Sequence, residues 1–242
     1  MTDFTDPAFE QLVLERRSVR LFDGTPVPES VMQKCFDLAL LAPNSSNLQP
    51  WEFHWVKSEP KRAELVKACL SQAAAATAAE LVVCVARTNT WRENCRDMLA
   101  QLERHEKQGD RIPKAAWDYY RRLVWIIYRQ GPLSLLGLGK RLIIAWRGLR
   151  TPMQRDPVSA QDMRIWAVKS TALACENLML AARAQGFDSC PMEGFDHVRV
   201  RRLLSLPPDA EIPMVISIGR RRPNGVTVPR IRGDRRRHVF KY

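Results

Sequence analysis

The chain has 242 residues, enough to bury roughly 70–75% of its unfolded surface around one core without disulfide or metal staples. Apolar residues at 45% and charged residues at 26% are ordinary globular values and exclude a disordered or fibrous chain. The formal net charge of +12 calls for an anionic partner, whether nucleic acid, an anionic membrane surface or a phosphorylated cofactor. No helix-turn-helix pattern, zinc-finger spacing or aromatic RNP-like strand occurs, so no nucleic-acid partner is expected. The six cysteines (35, 69, 84, 95, 175 and 190) form no Cys-x-x-Cys pair and sit mostly in apolar runs. They read as buried thiols of a reducing cytoplasm, without a metal site or a disulfide framework. Met1–Asp6 has neither the basic nor the apolar region of an export signal, and no apolar run reaches the ~18 residues that span a bilayer, so a cytoplasmic location is expected.

Pro7 to Arg16 reads as a short helix, with Asp6 as its cap signal. It runs into Arg16-Arg17-Ser18-Val19-Arg20, where three guanidinium groups and a hydroxyl can wrap a phosphate, because Arg forks match phosphate oxygens bidentately. In an extended segment Arg16, Ser18 and Arg20 share a face while Arg17 and Val19 turn away. The competing reading of this cluster is a solvated charge run at a helix end. Pro28 to Leu41 reads as a second helix, with Val31, Cys35, Leu38 and Ala42 as its core-facing stripe. Ala42-Pro43-Asn44-Ser45-Ser46-Asn47-Leu48-Gln49-Pro50-Trp51 is a polar loop fixed by proline at both ends, able to present several hydrogen-bond partners to a heterocycle. Glu52 to Lys57 alternates as a strand, and His54 reads as a strand residue because no carboxylate or nucleophile motif attends it. Pro60 to Ala79 is predicted helical, and Leu81–Ala86 is a continuous apolar run typical of a strand buried on both faces.

From Trp91 to Gln154 the character changes. Trp91–Lys107 and Ala115–Arg129 read as helices joined across Gly109 and Pro113, followed by the apolar run Leu133–Leu138 and the mixed stretch Lys140–Arg147. No acidic residue occurs between Asp118 and Asp156, against eight basic ones. Leucines and aromatics interleaved with one-sided positive charge suit an interfacial helix; the competing reading is a lid or an extra helical layer with a solvated face. Gly137-x-Gly139-Lys140 is not a P-loop, since Arg141 replaces the Ser or Thr that would hold magnesium. Ser159 with Asp162 resembles a capping box opening a long helix whose inward stripe is Met163, Trp166, Ser170, Leu173, Asn177, Leu178 and Ala181, stopped at Gly186. Pro213–Gly219 reads as a buried strand and His238-Val239-Phe240 as a final one. No Gly-x-Gly-x-x-Gly occurs, which excludes a Rossmann cofactor site.

Four separated stretches occur in the order of the FMN-dependent nitroreductases: the arginine cluster at 16–20, the Pro43–Trp51 loop, Pro191-Met192-Glu193-Gly194-Phe195-Asp196, and Arg230-x-Arg232 after Pro229. The chain resembles that family over roughly its first 90 and last 85 residues. The resemblance implies an α+β fold, a mostly antiparallel sheet flanked by helices, with FMN at a homodimer interface. It also implies one nitroreductase-like domain over 1–242, with 91–155 as a helical insertion serving as lid, dimer arm or membrane-surface segment. Carried over by position, Arg16 and Ser18 of the Arg16-Arg17-Ser18 cluster grip the phosphate with Arg230 and Arg232, and Arg20 lies near the pyrimidine edge of the ring. Pro43, Asn44, Ser45, Asn47 and Gln49 belong to a loop supplied by the other subunit. Met192, Glu193 and Gly194 lie beside the N5 edge. No catalytic acid or base and no metal are implied. The implied chemistry is a ping-pong hydride transfer from NADH or NADPH through the flavin to a small electron-poor acceptor, a nitroaromatic or a quinone. One departure is Ala73–Thr77, where some members carry an Asn and a Lys against the ring. Two other readings remain: a flavoprotein of the same fold with another role, such as dehalogenation or flavin handling, or a membrane-surface protein at the inner face, contacting anionic lipid through 119–155.

Overall fold

The computed structural model describes residues 7–131 and 135–242. Asp6, the expected cap of the first helix, and Leu133, the start of one apolar run, lie outside them.

Among the described residues four strands form one sheet: β1 (Trp51–Trp55), β2 (Glu80–Arg87), β3 (Asp188–Met192) and β4 (Ala210–Gly219), in the order β1-β2-β4-β3. Every neighbouring pair is antiparallel. Successive side chains of a strand point to opposite faces, so β2 feeds two cores at once. Leu81, Val83 and Val85 pack with Val215 against α3 (Glu59–Ala68), α4 (Ala73–Thr77) and Val200 of α10 (His197–Leu203). Val82 and Cys84 join Ile216 and Ile218 on the other face, under α2 (Glu29–Leu40) and the 25-residue α9 (Ala160–Ala184). Burial on both faces is what the unbroken apolar run of β2 requires.

Helix α9 carries the expected signals at both ends. The Asp162 N–H donates to Ser159 Oγ (3.1 Å) and the Ser159 N–H to the Asp162 carboxylate (2.8 Å), a complete capping box. Gly186 closes the helix at φ +83°, with the Phe187 N–H donating to the Ala182 carbonyl.

Near their outer edge the two ends of the chain meet. Ser18 bridges Ser189 of β3, and Phe22 bridges Arg221 just beyond β4. The Arg20 N–H donates to the Gly225 carbonyl (2.7 Å) and the Arg222 N–H to the Leu21 carbonyl (3.1 Å).

The middle segment contains α5 (Trp91–Lys107), then α6 (Lys114–Asp118), a π-helical stretch (Tyr119–Leu123) and α7 (Val124–Tyr128) in direct succession, and α8 (Leu135–Arg147). Trp91, Cys95, Val124 and Tyr128 form a third core with Met163 and Trp166 of α9 and Leu48 of the polar loop.

Several expectations are corrected. On α2 the buried stripe is Met32, Cys35 and Ala39, while Leu38 is 38% exposed, because the sheet meets the helix one residue away from the predicted face. The predicted 60–79 helix breaks at Leu70 and Ser71, both left-handed, where the Ser71 N–H folds back to the Val66 carbonyl. Leu173 of α9 is 49% exposed and so leaves the inward stripe. His54 does have a carboxylate beside it, with Glu52 3.0 Å from Nε2 on the same face of β1. Residues 238–240 form no strand. A short 3-10 turn at Arg235–Arg237 precedes them, and no strand lies alongside. The short strand β3, with a proline inside it, was not anticipated.

Candidate functional site

The first assembly is an open cavity of about 250 Å³ lined by Arg16, Arg17, Ser18, Arg20, Arg230 and Arg232 together with the 226–229 backbone. Residues from both ends of the chain reach it because of the pairing around Ser18–Phe22. Val19 is fully buried and anchors the segment, leaving Ser18 and Arg20 exposed, as an extended strand demands. Arg17 does not turn away from the cavity as expected. It lines the same space and donates to the Val228 carbonyl (2.7 Å), which ties the two ends together. Arg230 donates to the Leu14 (2.7 Å) and Arg16 (2.8 Å) carbonyls, satisfying the end of α1 (Pro7–Glu15).

The charge in this cavity is largely uncompensated. Arg16 stands 3.5 Å from Glu176, and among the described residues no carboxylate pairs with Arg17, Arg20, Arg230 or Arg232. Partial desolvation, and then the guanidiniums of Arg232, Arg17 and Arg16, lower the Arg230 pKa from its ordinary value. Behind the cavity, Asp188 is buried between Arg183 (3.0 Å) and Arg221, and Arg183 also reaches Glu15 (3.1 Å).

The second assembly is the polar loop. Ser46, Asn47 and Gln49 all hold positive φ (60°, 49° and 43°), a costly conformation for side chains with a Cβ. Outside contacts maintain it. Tyr128 lies 3.0 Å from both Ser45 Oγ and Ser46 Oγ, Tyr119 lies 2.6 Å from Ser46 Oγ, and the Tyr120 hydroxyl donates to the Ser46 carbonyl. Asn94 of α5 donates to the Leu48 carbonyl (2.7 Å), and Asn44 accepts from the Gln49 N–H (2.8 Å). Burial pushes the Tyr128 phenol pKa up, the serine hydrogen bonds opposing. Asn44 and Ser45 line a separate cavity of about 370 Å³ with Trp166, Lys169 and Leu173 of α9. Pro43 and Asn47 are exposed, and the Asn47 amide donates to Met98 sulfur (3.5 Å).

Met192 ends β3 in the core, while Glu193 and Gly194 are exposed just beyond it. The Gly194 carbonyl accepts from the Gln72 amide (2.6 Å). At Ala73–Thr77 the helix α4 buries Ala74 and Ala75, and Thr77 Oγ1 accepts from the Phe22 N–H (3.0 Å). Tyr119, Tyr128, Gln72 and Glu176 had no sequence signal, since each acts on a partner remote in the chain. All six cysteines are buried, and burial pushes the Cys35 and Cys69 thiols up to about 11, so neither is a ready thiolate. No group of residues suited to a metal ion occurs among the described residues.

This arrangement has relatives. Nitroreductase NfnB of Mycolicibacterium smegmatis is 32% identical over 229 residues, covering 92% of this chain and 88% of that protein. Protein DrgA of Synechocystis sp. is 29% identical over 210 residues, covering 86% and 82%. An Exiguobacterium sibiricum protein solved in complex with FMN shares the fold, with a TM-score of 0.69 at 22% identity and 98% of each chain covered. The family model described as the Nitroreductase family matches residues 13–220, which spans the middle segment and stops short of Arg230. A match over that much of the sequence, on a fold of the same kind, makes the chain a member of the nitroreductase family.

Proposed function

We propose that the protein is an FMN-dependent oxidoreductase that moves a hydride from NADH or NADPH to an electron-poor acceptor. The observation that carries this reading is the arginine cavity, assembled from distant parts of the chain with, among the described residues, a single carboxylate partner for its guanidiniums. Arginine forks, the Ser18 hydroxyl and a net positive field suit a phosphate monoester dianion. Arg16, Arg17, Ser18, Arg230 and Arg232 would hold the FMN phosphate there, Arg20 would lie near the pyrimidine edge of the ring, and Glu193 and Gly194 would lie along its N5 edge. FMN, when bound, supplies hydride transfer through its N5. The protein's own part is to bind and orient the ring and to keep positive charge at its phosphate and pyrimidine ends. The acceptor class is a nitroaromatic or a quinone, as the names of NfnB and of 4-nitrobenzoate reductase of Pseudomonas putida suggest for nitro compounds.

The site is read as shared between two copies of the chain. The arginine cavity and the Asn44–Ser45 loop line different cavities of one chain, so a loop from a second copy would complete the first. Exposed Ile165 and Leu173 on α9, beside that loop, suit a covered two-fold interface. Purified protein is expected to be yellow, to bleach on anaerobic NADPH or NADH addition and to recover with an acceptor. It is expected to sediment at about twice the 27.8 kDa chain mass. Colourless protein that FMN cannot reconstitute would sink the flavin reading, and a monomer that keeps its flavin would sink the shared site.

A further inference from the structure

Helix α8 is turned inside out. An amphipathic surface helix ordinarily directs its leucine stripe at the core. Here Leu138, Leu142 and Trp146 recur at i, i+4 and i+8 and face outward, with Leu142 67% and Trp146 68% exposed, and Leu149 in the turn just beyond the helix is 83% exposed. The inner side is pinned by small and polar features instead. At Gly137 a Cβ would come within 1.8 Å of the Val158 carbonyl, so the backbones approach too closely for any side chain. Lys140 donates to the Ile127 (3.0 Å) and Arg129 carbonyls, capping the end of α7. The helix orientation is therefore fixed by its packing, and the outward stripe follows from it. Beside the stripe, Ile143 shares an apolar groove of about 320 Å³ with Ile126 and Leu123 of the preceding helical run.

The charge around this face is mainly positive, although Asp156 lines the groove beside it and Asp162 lies within electrostatic reach of Arg141. Arg141, Arg147 and Arg150 are exposed and make no ion pair among the described residues, and no Asp or Glu occurs from 119 to 155. A second copy of the same face is a poor match, because a two-fold contact would set unpaired arginines against arginines. A hydrocarbon boundary beneath anionic headgroups satisfies both properties. The leucines and Trp146 enter the interface, and the arginine stems reach outward to lipid phosphates.

We propose that the outward face of α8 docks the protein on the surface of an anionic lipid bilayer, lying in the interface without crossing it. No described helix is long and apolar enough to span a membrane, which fits this mode of contact. The proposal does not depend on the flavin chemistry.

The test is flotation of the flavin-loaded protein with phosphatidylcholine vesicles and with vesicles containing about a third phosphatidylglycerol. Wild type is expected to float with the anionic vesicles at low salt and to be released at high salt. The exposed substitutions Leu142→Glu/Trp146→Glu and, separately, Arg141→Glu/Arg150→Glu are expected to lower the vesicle partition coefficient at least about tenfold. Their flavin absorbance and NAD(P)H oxidation in vesicle-free buffer should match wild type, which establishes that the variants are folded. Wild type remaining in the soluble fraction with both vesicle types overturns the proposal. So does flotation that survives both pairs of substitutions, which would place the contact elsewhere, such as the basic C-terminal stretch. A sedimentation mass that falls in Leu142→Glu/Trp146→Glu, with no wild-type flotation, would make the face an interface between copies.

Discussion

The Tyr128 hydroxyl stands 3.0 Å from the side-chain oxygens of both Ser45 and Ser46, so one phenol from α7 fixes two consecutive residues of a loop more than eighty positions earlier. Tyr128 is almost wholly buried, and Phe would keep its ring against Trp166 while removing the hydroxyl. Tyr128→Phe is expected to cost about 1–2 kcal/mol and to lower the melting temperature by about 2–6 °C. Ser46 retains Tyr119, so the loop loosens without collapsing. Flavin affinity should weaken several-fold in the same variant. A melting temperature and a flavin titration both equal to wild type would show that the phenol does not hold the loop.

Arg232 contributes to the arginine cavity and has no carboxylate partner among the described residues. Charge-assisted bonds contribute ~1.5–3 kcal/mol each, so Arg232→Ala should weaken FMN binding by roughly ten- to a hundredfold. Riboflavin, which has no phosphate, should bind wild type and variant alike. Fluorescence quenching titrations of apoprotein with both ligands decide the matter. Equal losses for FMN and riboflavin would move the phosphate elsewhere.

The sequence made some of this legible and hid the rest for physical reasons. Helix α5 begins at Trp91 and ends at Lys107 as its pattern predicts, and β2 announces itself because burial on both faces leaves no polar position. The α9 cap is readable because Ser159 and Asp162 are near neighbours. The break at Leu70–Ser71 carries no Gly or Pro, so nothing local marks it. In α2 the predicted stripe and the observed one both fit the helical period, and only the sheet beneath selects Met32, Cys35 and Ala39. The arginine cavity was half legible. Each cluster is visible alone, but that Arg17 reaches Val228 is a property of the folded chain.

Asp188 is 3% exposed and binds Arg183 and Arg221 together. Asp188→Asn would leave two guanidiniums against a neutral amide, at a cost of about 3 kcal/mol. A fall in melting temperature of about 6–12 °C is expected by calorimetry. A shift of under about 2 °C would mean that water replaces the carboxylate without penalty.

The Asp162 carboxyl is held below its ordinary pKa. Partial burial raises it, but the Val158 N–H, the Ser159 hydroxyl and N–H, and Arg141 together outweigh that. A carboxyl depressed in the folded state stabilises fully above its unfolded pKa of about 3.9, and this contribution is lost as pH falls through the folded value. Asp162→Asn is therefore expected to cost about 1 kcal/mol at neutral pH, with the gap to wild type narrowing in acid. Urea unfolding of both proteins over a pH series measures it. A gap that stays constant with pH would assign the cap no charge component.

The pairing of Arg20–Asp23 with residues 220–225 also sets a schedule. The arginine cavity cannot exist until Val226–Arg232 have been made, some two hundred residues after Arg16–Arg20. During synthesis the first arginines emerge early and wait for the last, which are still inside the tunnel when the ribosome reaches Tyr242. The sheet can form its β1–β2 pair beforehand, but the cavity is completed only once Val226–Arg232 have cleared the tunnel. Ribosome-stalled chains ending at Tyr242 should therefore fail to retain FMN, and chains extended by a linker long enough to clear the tunnel should retain it.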